Sequence, residues 1–73
     1  MNHWNYRVFK YKDDLTIREV YYDEEGNHVS YSSEPAMLHA EDINELEETL
    51  DKMANAVYQV KIGQDILMEE DFG

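Results

Sequence analysis

The 73-residue chain contains no cysteine, which excludes disulfides and leaves no mark of a redox compartment. Proline occurs once, at Pro35, and glycine three times, so no Pro/Gly-rich linker divides the chain. No apolar run approaches the roughly 18 residues that a membrane span needs. The opening MNHWNYRVFK lacks the continuous apolar stretch of a signal peptide. A soluble, cytoplasmic protein is therefore expected. Basic residues are also scarce: six stand against seventeen acids, for a formal net charge of −11. Binding through nucleic-acid phosphates needs clustered Lys and Arg, so direct contact with DNA or RNA is disfavoured, as are anionic membranes. A chain this short holds one modest core, and residues 1–73 are expected to form a single domain.

The charge is unevenly spread. Residues 1–18 hold Arg7, Lys10, Lys12 and Arg18 against Asp13 and Asp14, a local +2. Residues 19–73 hold the other fifteen acids against Lys52 and Lys61, a local −13. Such a field steers toward a basic partner surface. The plainer alternative is that the charge serves only solubility.

Two runs, WNYRVFKY (4–11) and LTIREVYY (15–22), are rich in aromatic and β-branched residues and read as strands. The short polar KDD between them predicts a hairpin. Trp4, Tyr6 and Val8 share one face while Phe9 and Tyr11 lie on the other; Leu15 and Ile17 share a face while Val20 and Tyr22 lie opposite. Either both strands are apolar on both sides, or a bulge near residues 9 and 19 switches the face. DEEGN (23–27) then separates Tyr22 from HVSYS (28–32). Gly26 can supply the positive φ of a short turn, and Asp23 can bond the backbone two residues on. The spacing of Asp23, Glu25 and Asn27 is also that of oxygen ligands, but an EF-hand loop needs twelve residues and a closing bidentate acid. A turn between strands is the better reading.

Pro35 biases Glu34 toward an extended conformation, and residues 32–41 read as a loop. DINELEETLDKMANAVYQV (42–60) has the period of an amphipathic helix, with Ile43, Leu46, Leu50, Met53, Ala54 and Val57 as the expected buried face. Asp42 is a good N-cap and Glu45 completes a capping box. Gly63 can end the helix. The apolar centre of DILMEE (65–70) makes it either a short fourth strand or a tail.

Chemistry-bearing patterns are few. His3, His28 and His39 have no ligand spacing, so no metal site is expected, and no cofactor. No nucleophile elbow or phosphate-binding glycine loop occurs. Carboxylates abound, but acid–base catalysis needs a pocket that shifts one pKa, and a small single-core domain rarely encloses one. A non-catalytic protein is expected. The nine aromatic residues can serve cross-strand pairing; those on a sheet face left open by the helix could instead anchor a partner.

The segments WNYRV, IREVYYDEEGNHVSYS and DINELEETLDKM resemble a group of short bacterial proteins with an N-terminal W-x-Y-R-V strand and an E-V-Y-Y-D-x-x-G hairpin, a group that implies no particular activity. The order of strands, capped helix and short strand is also similar to the small domain of HicB-like antitoxins, although the glycine-rich segment before the helix and an appended DNA-binding segment are missing. In size and acidity the chain is similar to phage-encoded anti-defence proteins, anti-CRISPRs among them, some of which imitate nucleic acid.

Together these readings predict an α+β fold: a three-stranded antiparallel meander, one amphipathic helix on one face, and residues 65–70 as the candidate fourth strand. The predicted function is an acidic binding protein, of the phage-type inhibitor kind, that occupies a basic surface of a nucleic-acid-handling partner. The predicted contact residues are Asp23, Glu24 and Glu25 of the turn, Glu47, Glu48 and Asp51 of the helix, and Tyr22 and Tyr31 of the strands. The alternative is a HicB-like antitoxin or a structural homodimer.

Overall fold

Lys12 and Asp13 alone join the first two strands, with Lys12 at a φ of 57°. In the computed structural model, which describes residues 3–72, this two-residue turn connects β1 (His3–Tyr11) to β2 (Asp14–Tyr22). β3 (His28–Tyr31), the helix α1 (Ile43–Lys61) and a two-residue β4 (Leu67–Met68) follow. A 3₁₀ turn, Glu69–Phe72, ends the described chain. The sheet order is β3-β2-β1-β4, antiparallel except for β4, which runs parallel to β1. The fold is α+β, and residues 65–70 do contribute the short fourth strand. Among the described residues no helix is long and apolar enough to cross a membrane.

The face question is answered by register. The β1–β2 ladder is unbroken from His3 opposite Tyr22 to Tyr11 opposite Asp14, so no bulge switches the pattern and both strands are apolar on both sides. Trp4, Tyr6 and Val8, with Tyr21 and Ile17 across from them, face α1. Phe9 and Val20 face the other way, are fully buried, and pack with Leu67. Tyr22, Tyr31 and Phe72 close over that cluster. Phe72 meets three rings there: Phe9 at 6.0 Å, Tyr31 at 4.8 Å and His28 at 4.7 Å.

A bulge does occur, but between β2 and β3. Tyr21 pairs with Ser30 and Tyr22 with His28, leaving Val29 as the extra residue. Residues 28 and 31 would point to opposite faces of a regular strand. The extra residue puts both on the Phe72 side, and the His28 ring is within 3.0 Å of the Asp71 carbonyl.

The turn before β3 forms as its residues require. Gly26 has a φ of 86°, and its N–H donates to the Asp23 carbonyl at 3.1 Å. α1 is capped at both ends. The Asp42 carboxylate accepts from the Glu45 N–H at 2.8 Å. Glu45 reaches back one residue further than expected, to the Glu41 N–H. At the other end Gly63 donates to the Val60 carbonyl and Gln64 to that of Gln59, the paired bonds of a Schellman motif.

The expected buried face of α1 needs correction. Ile43 is 74% exposed, Leu50 47% and Val57 44%, and Ala54 is exposed too. Ala56 is the residue buried against the sheet, flanked by half-buried Leu46, Thr49, Met53 and Val60. The apolar sector of the helix is wider than the contact it makes. The sheet takes the edge carrying small Thr49 and Ala56, which leaves open clefts beside it over Trp4 and Tyr6 and over Val8.

Candidate interaction surface

Two arginines lie directly opposite each other on the Phe9 side of the β1–β2 ladder, Arg7 and Arg18. Like charges so placed repel, and here they diverge. Arg18 is buried, donates to the Thr16 hydroxyl and the Ser32 carbonyl, and lies 5.3 Å from the Phe9 ring centre. Arg7 donates to the Tyr22 hydroxyl at 2.9 Å and to the Asp65 carbonyl at 3.2 Å. All these acceptors are neutral. A third of the chain's basic residues is thus hydrogen-bonded within the fold.

The predicted contact residues fall into three groups. Asp23 belongs to the turn. Its carboxylate accepts from the N–H groups of Glu25 at 2.9 Å and Asn27 at 3.0 Å, and these backbone bonds, that to Asn27 foremost, hold its pKa below the ordinary carboxylate value. Tyr22 and Tyr31 belong to the second core. Tyr22 donates its hydroxyl to Asn5 at 2.8 Å, and the Tyr31 ring packs 4.5 Å from Phe9. Glu24 and Glu25 are exposed at the tip of the turn, and Glu47, Glu48 and Asp51 are exposed on α1.

What connects the turn to the helix is a cleft that the sequence reading did not single out. It has a volume of about 630 Å³ and opens between the N-terminal half of β1 and the middle of α1. Trp4, Asn5 and Tyr6 form one wall; Asp51, Lys52 and Asn55 form the other. Trp4 is 48% exposed and stands edge-on to Tyr6, with ring centres 5.2 Å apart. It is paired across the strands with Tyr21, two residues before Asp23. The acidic turn and the Trp4 cleft therefore lie at the same end of the sheet. Glu48, one turn before Asp51, extends the same flank of the helix, whereas Glu47 lies nearer Leu50 and Ala54. Lys10 and Lys12 sit at the opposite end of the strands, around the β1–β2 turn.

Below the cleft Glu19 organises two phenols. It accepts the Tyr21 hydroxyl at 2.8 Å, and that bond, with burial adding to it, raises the Tyr21 pKa. Burial, and then the Glu19 charge, raises that of Tyr6. Both rings stay neutral donors in any physiological range. No nucleophile stands beside a base here, and among the described residues no three metal-ligating side chains converge. The arrangement offers an aromatic anchor, amide and phenol groups, and a rim of acids.

Trp4 could have been found in the sequence. It alternates with Tyr6 and Val8 on one strand face and is the large ring nearest the start of that strand. Its wall partners Lys52 and Asn55 could not, because their place depends on how the helix is rotated on the sheet. Comparison with family models, with curated proteins and with solved structures returns no match.

Proposed function

We propose that this chain is a non-catalytic binding protein, of the phage-type inhibitor kind that includes anti-CRISPRs, and that it occupies a basic nucleic-acid-binding surface of its partner. One observation above all supports this reading: a half-exposed tryptophan stands in a cleft with Asp51, at the sheet end that carries Glu24 and Glu25. Tryptophan is the side chain most enriched at binding hot spots, and an acidic rim accelerates docking onto a basic surface. The separation of charge favours the same direction, since Arg7 and Arg18 are bonded internally and Lys10 and Lys12 belong to the far end of the strands. Trp4 supplies buried area, Asn55 supplies directional bonds, and Glu24, Glu25, Glu48 and Asp51 supply the field.

The test begins with capture of a partner from a bacterial host lysate on the immobilised protein, followed by competition with nucleic acid. The captured protein is expected to be a nucleic-acid-handling one, and its DNA or RNA is expected to displace it. Trp4→Ala is expected to weaken binding by about 2 kcal/mol or more. Combined Glu24→Gln, Glu25→Gln and Asp51→Asn substitutions should slow association and flatten its salt dependence, with little change in dissociation. A partner that holds its nucleic acid and this chain at once would overturn the proposal.

A further inference from the structure

α1 carries a heptad pattern with two core positions. Leu46, Met53 and Val60 occupy one, and Ile43, Leu50 and Val57 the other. The sheet half-buries the first set and leaves the second in solvent. Alongside the exposed set, at the same seven-residue spacing, lie Glu47, Ala54 and Lys61, all three exposed. Residues seven apart stay nearly in line along two turns of helix. This second stripe therefore reads acid, small, base.

That order is complementary to its own reverse. Turning a second helix antiparallel about Ala54 sets Glu47 opposite the second copy's Lys61, and Lys61 opposite its Glu47. The same rotation brings Leu50 beside the second copy's Val57. The small side chain falls on the axis, where two helices approach most closely, at about 8 Å. A rim of one sign would repel its own copy, whereas this one attracts it at both ends. We propose that the Leu50–Ala54–Val57 face of α1 pairs with the same face of a second copy of this chain, across a twofold axis at Ala54.

The pairing is isologous, as a closed dimer requires. It uses the flank of α1 nearer the Val57 groove and leaves the Trp4 cleft free, so it does not rest on the function proposed above. Two chains of net charge −11 repel each other, and a single helix face is smaller than the roughly 800 Å² per partner of a standard interface. A dissociation constant in the micromolar range is therefore expected. Added salt should leave the dimer intact or strengthen it, because screening relieves the overall repulsion while apolar contact persists.

Sedimentation equilibrium from about 5 to about 500 μM tests this. The unaltered chain should pass from monomer to dimer within that range. Glu47→Lys sets two bases opposite each other and Lys61→Glu two acids, and each should weaken the dimer about tenfold or more, since two symmetric pairs are lost. The double variant restores both pairs in reverse and keeps the net charge, so it should return to within about threefold of the parent. Overall repulsion alone would act differently, with Glu47→Lys tightening the dimer and Lys61→Glu weakening it. The substituted positions are all exposed, and a far-ultraviolet dichroism spectrum confirms that each variant is folded. A chain that stays monomeric throughout, single variants that move in opposite directions, or a double variant no better than the singles would each overturn the proposal.

Discussion

On one face of the sheet a 19-residue helix leaves Trp4 half exposed and Val8 at the foot of an open groove of about 330 Å³. On the other, a four-residue 3₁₀ turn completes the cover over two fully buried side chains, Phe9 and Val20. The longer element encloses less because Ala56 is its one buried residue, Leu46, Met53 and Val60 are only half-buried, and Ile43, Leu50 and Val57 stay outside. The shorter one delivers a single ring, Phe72, into a ring of aromatic neighbours. Its backbone is fixed by the Asp71 carboxylate, which accepts the Met68 N–H at 2.8 Å, and by His28 at the Asp71 carbonyl. Closure depends on what a segment places in the gap, and much less on how long it is.

The comparison is broken most directly by truncating one residue on each side. Phe9→Ala is expected to cost about 3–5 kcal/mol, through lost transfer energy and the cavity left behind, and would unfold a domain of this size. Ile43→Ala, on the exposed helix stripe, should cost no more than about 1 kcal/mol. Urea denaturation of the two variants checks both; similar losses would mean that the helix side is the true core. Phe72→Ala sharpens the point and should cost about 2–3 kcal/mol. A melting temperature unmoved by Phe72→Ala would show that the C-terminal turn does not close the second face.

The smallest expected effect is a pH dependence. Asp23 has a pKa below its ordinary value because of the bonds from Asn27 and Glu25, so the folded state holds its carboxylate unprotonated where the unfolded chain begins to take up a proton. The stability it contributes is present above the unfolded pKa and is lost as pH falls through the folded one. Thermal unfolding between about pH 6 and about pH 2.5 should therefore flatten in Asp23→Asn relative to the parent. Parallel pH profiles would remove Asp23 from the turn's support.

Much of this was legible in the residues. Aromatic and β-branched composition marked β1 and β2, Gly26 and Asp23 marked the turn, and the Asp42 cap with the three-four spacing marked α1, because each of these signals is local. The rotation of α1 was not legible. Its apolar sector is broad enough to bury either Leu50 or Ala56, and the choice depends on how the helix seats on β1, a strand distant from it in the chain. The role of Tyr31 and Phe72 was hidden for a related reason. The bulge at Val29 sets which way Tyr31 points, and no residue type announces it. The acids of the candidate surface could be named, but their meeting with Trp4 is a product of that same helix placement.

The bulge has one more consequence, for what the sheet cannot do. Strands this rich in tyrosine and valine invite edge-to-edge growth when a long, flat edge is left open. Here β3 is four residues long and kinked at Val29, and the chain beyond it stays against β2, with the Ser32 N–H donating to Glu19 and the Ala36 N–H to Ile17. The opposite edge is the two-residue β4. The β3 margin therefore gives little template for an added strand, whether from a fibril or from an extended peptide, and among the described residues the open length of sheet edge is that of β1 beyond Phe9 and Lys10, the two residues that β4 pairs.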